Sequence, residues 1–302
     1  MNQSAAHTLS QLSPEVLREI ENLQLAARET ASGIMAGVHR SLRRGTSVEF
    51  SEHKLYSPGD DIRHIDWSAY AKTDRFHVKQ FEDETNLRIE LLIDHSGSMG
   101  FKNGGSVSKL RYANTLAAAI SYLTLRQGDS TGLVTFANTV TAELPPRSHS
   151  SHLLEILALL AQLSPAAETG VGPCLERFAQ TRRKRTIAIL FSDLLDPNPE
   201  LPTLFRQLIA CKHEVALLHI LDPAELDFPY DNPAQFQSME DERNLFIHPR
   251  ILKNSYQREM KQFLEKTNNL LRTAGVDYHL ITTDTAPQSA LANFLRARVS
   301  KS

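Results

Sequence analysis

Residues 89–98 read Ile-Glu-Leu-Leu-Ile-Asp-His-Ser-Gly-Ser, an apolar run that ends in a polar turn. The turn carries oxygen side chains at alternate positions, namely Asp94, Ser96 and Ser98. A short, continuously apolar run is typical of a buried parallel strand, so these oxygens are expected at the tip of a strand. One carboxylate and two hydroxyls suit Mg²⁺ or Mn²⁺, which keep several waters and accept few protein ligands. The stretch therefore predicts a small divalent-cation site with an open coordination position.

A purely local interpretation of the same residues stays open. Asp and Ser are frequent turn formers and helix N-caps, and a loop between a strand and a helix often carries them for that reason alone. The three oxygens by themselves do not decide between a cap and a cation site.

From residue 88 onward, apolar strands alternate with helical patterns. This alternation predicts a doubly wound α/β fold, with a mostly parallel sheet covered by helices on both faces. The predicted strands are Ile89–Asp94, Ser130–Phe136, Thr186–Ser192, Val215–Leu221 and Val276–Thr282. The predicted helices are Leu110–Arg126, Ser151–Leu163, Pro173–Arg182, Pro199–Lys212, Pro249–Thr273 and Gln288–Arg298. Ligands of such sheets bind beyond the carboxyl ends of the strands, where Asp94 and Asp193 fall.

The chain divides into three predicted parts. Residues 1–43 form an N-terminal helical segment, which starts at a Ser13 cap followed by Pro14. Residues 44–86 form a loop-and-strand segment with short strands at Ser47–Phe50 and His77–Phe81. Residues 87–300 form the α/β domain, and a hairpin-like insertion interrupts it at about residues 223–248.

Composition narrows the function classes. The 302-residue chain has a net charge of −2, which gives no overall attraction to nucleic acid or to an anionic membrane. Its basic cluster, Arg182–Arg185, is interpreted as a solvated helix end. Cys174 and Cys211 lie far apart and outside any zinc-type pattern, which favours a reducing compartment. With neither a signal-peptide pattern nor an apolar run of about 18 residues, we expect a soluble cytoplasmic protein without direct membrane insertion.

Two enzymatic patterns are missing from the strand-to-helix loop. The glycines of residues 100–105 are not followed by Gly-Lys-Ser/Thr, so the loop is not a nucleotide-binding P-loop. They are interpreted instead as a flexible rim above the cation. Ser96 and Ser98 do not stand in a Gly-x-Ser-x-Gly elbow, which argues against a serine hydrolase. We expect a binding protein that is not an enzyme.

The run Asp94-x-Ser96-x-Ser98 resembles the signature of von Willebrand factor A domains, whose metal ion-dependent adhesion site binds a carboxylate of a partner. Two later elements stand in the order of that family, namely Thr169 in a loop between two helices and Asp193 at the end of an apolar strand. The resemblance implies that Thr169 supplies a third hydroxyl and Asp193 a second carboxylate, the latter often through water. It also implies Mg²⁺ or Mn²⁺ as the cofactor.

Residues 40–300 further resemble family 58 of the domains of unknown function. The resemblance is carried by Arg43-Arg44-Gly45, Glu49-Phe50, Tyr56-x-Pro58-Gly59-Asp60-Asp61-x-Arg63-x-Ile65-Asp66-Trp67 and Val78-Lys79-x-Phe81. Proteins of this kind commonly accompany MoxR-type AAA+ ATPases, which implies such an ATPase, or its client, as the partner. The chain departs from the family in Gly170, where similar sequences often carry Asp, and in the lack of N-terminal membrane helices.

A second partner-binding surface is expected in the family-specific segment. Its candidate residues are Tyr56, Asp60, Asp61, Arg63, Asp66 and Trp67. A salt-bridged turn anchored by a buried Trp67 explains the same residues without a partner.

The sequence thus predicts a metal-dependent protein-interaction module that binds an acidic side chain of its partner. One alternative is a metal-dependent hydrolase, in which Asp60, Asp61 or Asp66 would serve as general base. The other is a scaffold whose cation site stays unused.

Overall fold

The computed structural model describes residues 14–32, 49–55, 77–82, 87–105, 107–166, 168–196, 198–240 and 243–300. The segment Tyr56–Trp67, which holds the predicted second surface, lies outside these ranges.

The helices and strands follow the predicted alternation. The strands are β1 (Glu49–Leu55), β2 (His77–Glu82), β3 (Arg88–Asp94), β4 (Ser130–Phe136), β5 (Val140–Arg147), β6 (Ile187–Ser192), β7 (Glu214–Leu221), β8 (Ala234–Gln237), β9 (Asn244–Ile247) and β10 (Asp277–Thr282). The helices are α1 (Pro14–Ser32), α2 (Lys109–Arg126), α3 (His152–Gln162), α4 (Val171–Thr181), α5 (Leu201–Ala210), α6 (Pro223–Asp227), α7 (Pro249–Ala274) and α8 (Pro287–Ser300).

Six strands form the central sheet in the order β10-β7-β6-β3-β4-β5. All neighbours are parallel except β4 and β5, so an antiparallel strand closes one edge. In order of appearance along the chain these strands are arranged 6-5-4-1-2-3, the doubly wound order that reverses direction between its first and fourth strands. The predicted fold class is therefore confirmed, and the reversal falls between β3 and β6.

A buried apolar layer covers each face of the sheet. One layer joins alternate residues of β3, such as Ile89 and Leu91, to helices α1, α2, α3 and α8. The opposite layer joins Leu92 and Leu190 to helices α4, α5 and α7. Because both faces are covered, the polar groups of the central strands can reach solvent only at the strand ends.

One strand is absent from the prediction and one prediction needs correction. Strand β5 was not predicted; it contains Pro145 and Pro146, which an edge strand tolerates. Arg182 was predicted to be solvated. Instead, its guanidinium lies 2.6 Å from a carboxylate oxygen of fully buried Glu90 and 2.6 Å from Glu143.

The predicted insertion after β7 contains the short helix α6 and the antiparallel hairpin β8–β9. Among the described residues, no helix has the length and apolar character needed to cross a membrane.

Candidate metal-dependent adhesion site

The candidate site lies where strands β3 and β6 end side by side. Asp94 is the last residue of β3, and Asp193 follows the last residue of β6. The two strands are parallel neighbours, so their carboxyl ends share one rim of the sheet. Both carboxylates are fully buried. The reversal of strand order places them at the point where doubly wound proteins bind ligands.

Ser96 and Ser98 turn back over the tip of β3. The Ser96 amide donates to Asp94 Oδ1 at 2.9 Å, which closes a tight Asx-type turn. A single 3₁₀ turn, Gly97–Gly100, follows and places the Ser96 and Ser98 hydroxyl oxygens 3.2 Å apart. The alternation seen in the sequence thus becomes a pair of adjacent hydroxyls beside a carboxylate.

Thr169 reaches the same carboxylate from the loop before α4. Its hydroxyl donates to Asp94 Oδ2 at 2.9 Å. Ser192 donates to the same oxygen at 2.7 Å and accepts the amide of Leu194 at 2.9 Å. Ser192 was not among the predicted site residues, although its position next to Asp193 at the end of β6 was a usable signal.

The surroundings of Asp94 disfavour the ionised form of its carboxylate. Burial, followed by the charge of Asp193, raises the pKa of Asp94 to about 6, although hydrogen bonds from Ser192 and Ser96 act in the opposite direction. A cation next to Asp94 would favour its ionised form.

Asp193 already has a positive partner. The ammonium of Lys109, at the start of α2, lies 2.7 Å from Asp193 Oδ2 and 2.7 Å from Glu225 Oε1. Burial opposes the charge of Lys109, but Asp193 and Glu225 outweigh burial, so the pKa of Lys109 is raised. Lys109 was not among the predicted site residues. A lysine that opens a helix next to a candidate site was the available signal.

The backbone carbonyl of Asp193 also has a buried hydrogen-bond partner. His219 Nε2 lies 2.9 Å from the Asp193 carbonyl, and His219 Nδ1 lies 2.9 Å from the Tyr278 hydroxyl. Burial lowers the pKa of His219 to about 4, so the ring is neutral. Since a carbonyl only accepts, Nε2 carries the proton and donates it. His95 has equally complete contacts, to the Ser164 carbonyl and the Thr141 hydroxyl, which fit a structural role.

The glycine-containing loop after the 3₁₀ turn is fixed in place. The amides of Asn103, Gly104 and Gly105 donate to the carboxylate of Asp222 at 3.0, 2.6 and 3.0 Å. Asp222 follows β7 and also caps α6. The loop therefore forms a defined rim of the site, which corrects the expectation of a flexible one.

The insertion covers part of the site. A Cβ atom added to Gly97 would lie only 2.0 Å from the carbonyl oxygen of Met239, so the chain after β8 rests directly on the serine turn. The next residue, Glu240, has a buried oxygen, Oε1, that has no hydrogen-bond partner. Burial raises the pKa of Glu240, whereas hydrogen bonding from Ser98 lowers it.

The donor set fits a hard divalent cation. An octahedral ion with bonds of about 2.1 Å separates neighbouring ligand oxygens by roughly 3 Å, close to the 3.2 Å between the Ser96 and Ser98 hydroxyls. No group of three or more His, Cys, Asp or Glu residues able to hold a metal occurs in the part of the chain described. Hydroxyls would therefore have to complete the coordination, as the predicted ligand set assumes.

Comparison with known proteins identifies the family. The family described as "Protein of unknown function DUF58" matches residues 52–265, which is most of the chain. The chain belongs to this family, and its Asp94 turn lies at the switch point of the doubly wound sheet.

Its relatives include two uncharacterized mycobacterial proteins. The chain is 26% identical over 290 residues to the uncharacterized protein Rv1480 of Mycobacterium tuberculosis (strain ATCC 25618 / H37Rv), which covers 94% of this chain and 90% of the relative. It has the same identity and coverage with the uncharacterized protein Mb1516 of Mycobacterium bovis.

Similar solved structures include the conserved hypothetical protein BatB from Bacteroides thetaiotaomicron. It is 14% identical, with 71% of this chain and 99% of that chain covered, at a TM-score of 0.45. A second is the VWA domain of SpRpn10, at 12% identity, 69% and 95% coverage and a TM-score of 0.41.

Proposed function

We propose that this protein is a metal-dependent interaction module, in which Mg²⁺ or Mn²⁺ at the tip of β3 binds an acidic side chain of a partner protein. The observation that carries the proposal is the pair of Ser96 and Ser98 hydroxyls, 3.2 Å apart, next to a buried Asp94 carboxylate. Local capping alone does not require this arrangement. The side chain of Ser96 makes no capping hydrogen bond to the 3₁₀ turn that follows it.

Each of the site residues would have a different role in binding the cation. Ser96 and Ser98 would contribute hydroxyl oxygens, and Asp94 would contribute charge while its turn holds the serines in place. The Thr169 hydroxyl donates at 2.9 Å to Asp94 Oδ2, whereas the Ser96 amide donates to Oδ1. Asp193 would act through water, because one of its oxygens is held by Lys109. A bound divalent cation would supply a positive centre for a partner's carboxylate.

A MoxR-type AAA+ ATPase, or a client of that ATPase, is the partner that we propose. The chain belongs to the DUF58 family, and the sequence resemblance implies such an ATPase as the partner. In this role the protein would be an accessory factor in the assembly or maturation of a complex.

The first experiment is a calorimetric titration of Mg²⁺ and of Mn²⁺ into the wild-type protein. We expect binding that is lost in Asp94→Ala and in Asp94→Asn, the second of which keeps the volume of the buried side chain. Asp284→Asn removes an exposed carboxylate just after β10, at the same end of the sheet, and should bind as the wild type does. Equal heats in the wild type and both Asp94 variants would refute the proposed site.

The partner is tested in a separate experiment. The immobilised chain is mixed with a purified MoxR-type ATPase from the same organism, in Mg²⁺ and in excess EDTA. We expect retention in Mg²⁺ only, and loss of retention in Asp94→Asn. Full retention of the ATPase by Asp94→Asn in EDTA would contradict metal-dependent recruitment.

A further inference from the structure

The chain itself brings a carboxylate to the mouth of the candidate site. The segment after β8 crosses the serine turn at Gly97, where the Met239 carbonyl leaves no space for a side chain. Met239 also approaches Gly100, since a Cβ there would lie 3.2 Å from the Met239 methyl carbon. These two contacts hold the residue after Met239 above Ser98.

That residue is Glu240, and its carboxylate is not paired with a cation. Oε1 is buried without a hydrogen-bond partner, and none of the ion pairs found in the described part of the chain involves Glu240. The neighbouring charges are those of Asp193 and Glu168, which are also negative. A buried, unpaired carboxylate oxygen among other carboxylates is unfavourable unless a cation joins them.

We propose that Glu240 is an internal ligand of the site, and that its carboxylate takes the coordination position that a partner's acidic side chain occupies in the complex. This inference rests on the proposed function, because it needs the cation at Ser96 and Ser98. It adds a residue of the insertion to a ligand set that otherwise comes from the β3, α4 and β6 loops.

The consequence is a competition at the site. An incoming carboxylate has to displace Glu240, so the apparent affinity for a partner is the intrinsic affinity multiplied by the fraction of molecules in which Glu240 is released. A partner that also contacts the β8–β9 hairpin would overcome this cost, whereas a free carboxylate of low affinity would not. Glu240 would thereby make the site selective against small carboxylates.

The test uses Mn²⁺ alone as the probe and measures both its affinity and the water-proton relaxation enhancement that reports waters on the ion. The variants are Glu240→Gln and Gly97→Ala. The first keeps the size and polarity of the side chain, and the second keeps Glu240 but forces the Met239 carbonyl away. The control is Asp231→Asn, which removes a 70% exposed carboxylate from the same insertion.

We expect Glu240→Gln to bind Mn²⁺ at least about tenfold more weakly, the size of loss that follows removal of supporting groups at metal sites. The relaxation enhancement per bound ion should rise, because water replaces the carboxylate. Added acetate should lower that enhancement in Glu240→Gln and leave it unchanged in the wild type. Gly97→Ala should shift both quantities in the same direction, and Asp231→Asn should shift neither.

The outcomes separate the two proposals. If Mn²⁺ binds the wild type, is lost in Asp94→Asn, and binds Glu240→Gln with unchanged affinity and hydration, the role of Glu240 is wrong while the site stands. If Mn²⁺ does not bind the wild type at all, both proposals fail.

Discussion

The ammonium of Lys109 is enclosed between two carboxylates, with none of its side chain exposed. Asp193 is equally buried, and Glu225 nearly so. Taking such a triad out of water is costly, and the attraction among its members offsets that cost only while all three are present. Lys109 therefore fixes the position of Asp193 without itself facing a ligand.

Replacing Lys109 by Met should destabilise the protein by about 3–5 kcal/mol, because two buried carboxylates lose their partner. The free energy of unfolding in urea measures this loss. Glu225→Gln should cost less, since Lys109 then still pairs with Asp193. A loss below about 1 kcal/mol in Lys109→Met would show that the triad is not a structural unit.

Among single residues, the sequence predicted the three residues of the Asp94 motif and, through the family resemblance, Thr169. Asp94, Ser96, Ser98 and Thr169 come together within hydrogen-bond distances. Their role as metal ligands stays a prediction. Lys109 and Ser192 were missed, although each had a local signal. The contacts that give them a role, Lys109 with Asp193 and Ser192 with Asp94, join segments that are distant in sequence. Glu240 is separated from the serines by most of the domain, and only the folded insertion brings it back.

The strands and helices also carry a polar cluster far from the site. Arg182, at the end of α4, donates from Nε at 2.7 Å to both oxygens of Glu90 in the middle of the sheet and from a terminal nitrogen at 2.6 Å to Glu143 in β5. Burial raises the pKa of Glu90, although Arg182 opposes this effect. The cluster ties the edge strand to the centre of the sheet.

Arg182→Ala should lower the free energy of unfolding by about 3 kcal/mol, because fully buried Glu90 keeps only the longer, 3.9 Å ion pair with Arg88. Arg185→Ala is the matched control. Its side chain is 54% exposed and pairs with Glu214 at the surface, so its removal should cost less than about 1 kcal/mol. Equal losses in the two variants, measured by urea unfolding, would contradict the buried cluster.

His213, between α5 and β7, predicts a pH dependence of stability. Burial lowers its pKa below the usual value near 6.5, and the nearby charge of Arg182 acts in the same direction. The unfolded chain therefore binds the proton more readily than the folded chain, and stability is lost as the pH falls below about 6.5.

The wild type should thus lose more stability between pH 7.5 and pH 5.5 than His213→Gln does. His149→Gln, at an exposed position, should behave as the wild type does. Urea unfolding at the two pH values measures the difference. If the wild type and His213→Gln showed the same pH dependence, the burial of His213 would not be its cause.

For the whole molecule, the sequence was sufficient for the architecture. The alternation of apolar strands and amphipathic helices predicted the doubly wound sheet, and the position of Asp94 and Asp193 after their strands predicted that both lie at one rim of it. The antiparallel edge strand β5 was not predicted, and its two prolines make it untypical of a strand. The contact between the insertion and the serine turn arises only in the folded chain, and the sequence of neither segment predicts it.

The proposed function requires that a divalent cation binds between Ser96, Ser98 and Asp94. A crystal grown with Mn²⁺ and measured for anomalous scattering tests this binding directly. We expect one strong anomalous peak within about 2.1–2.2 Å of both serine hydroxyl oxygens, the bond length expected for such an ion. No peak there at a Mn²⁺ concentration that saturates the protein in solution, or a peak only elsewhere, would contradict it.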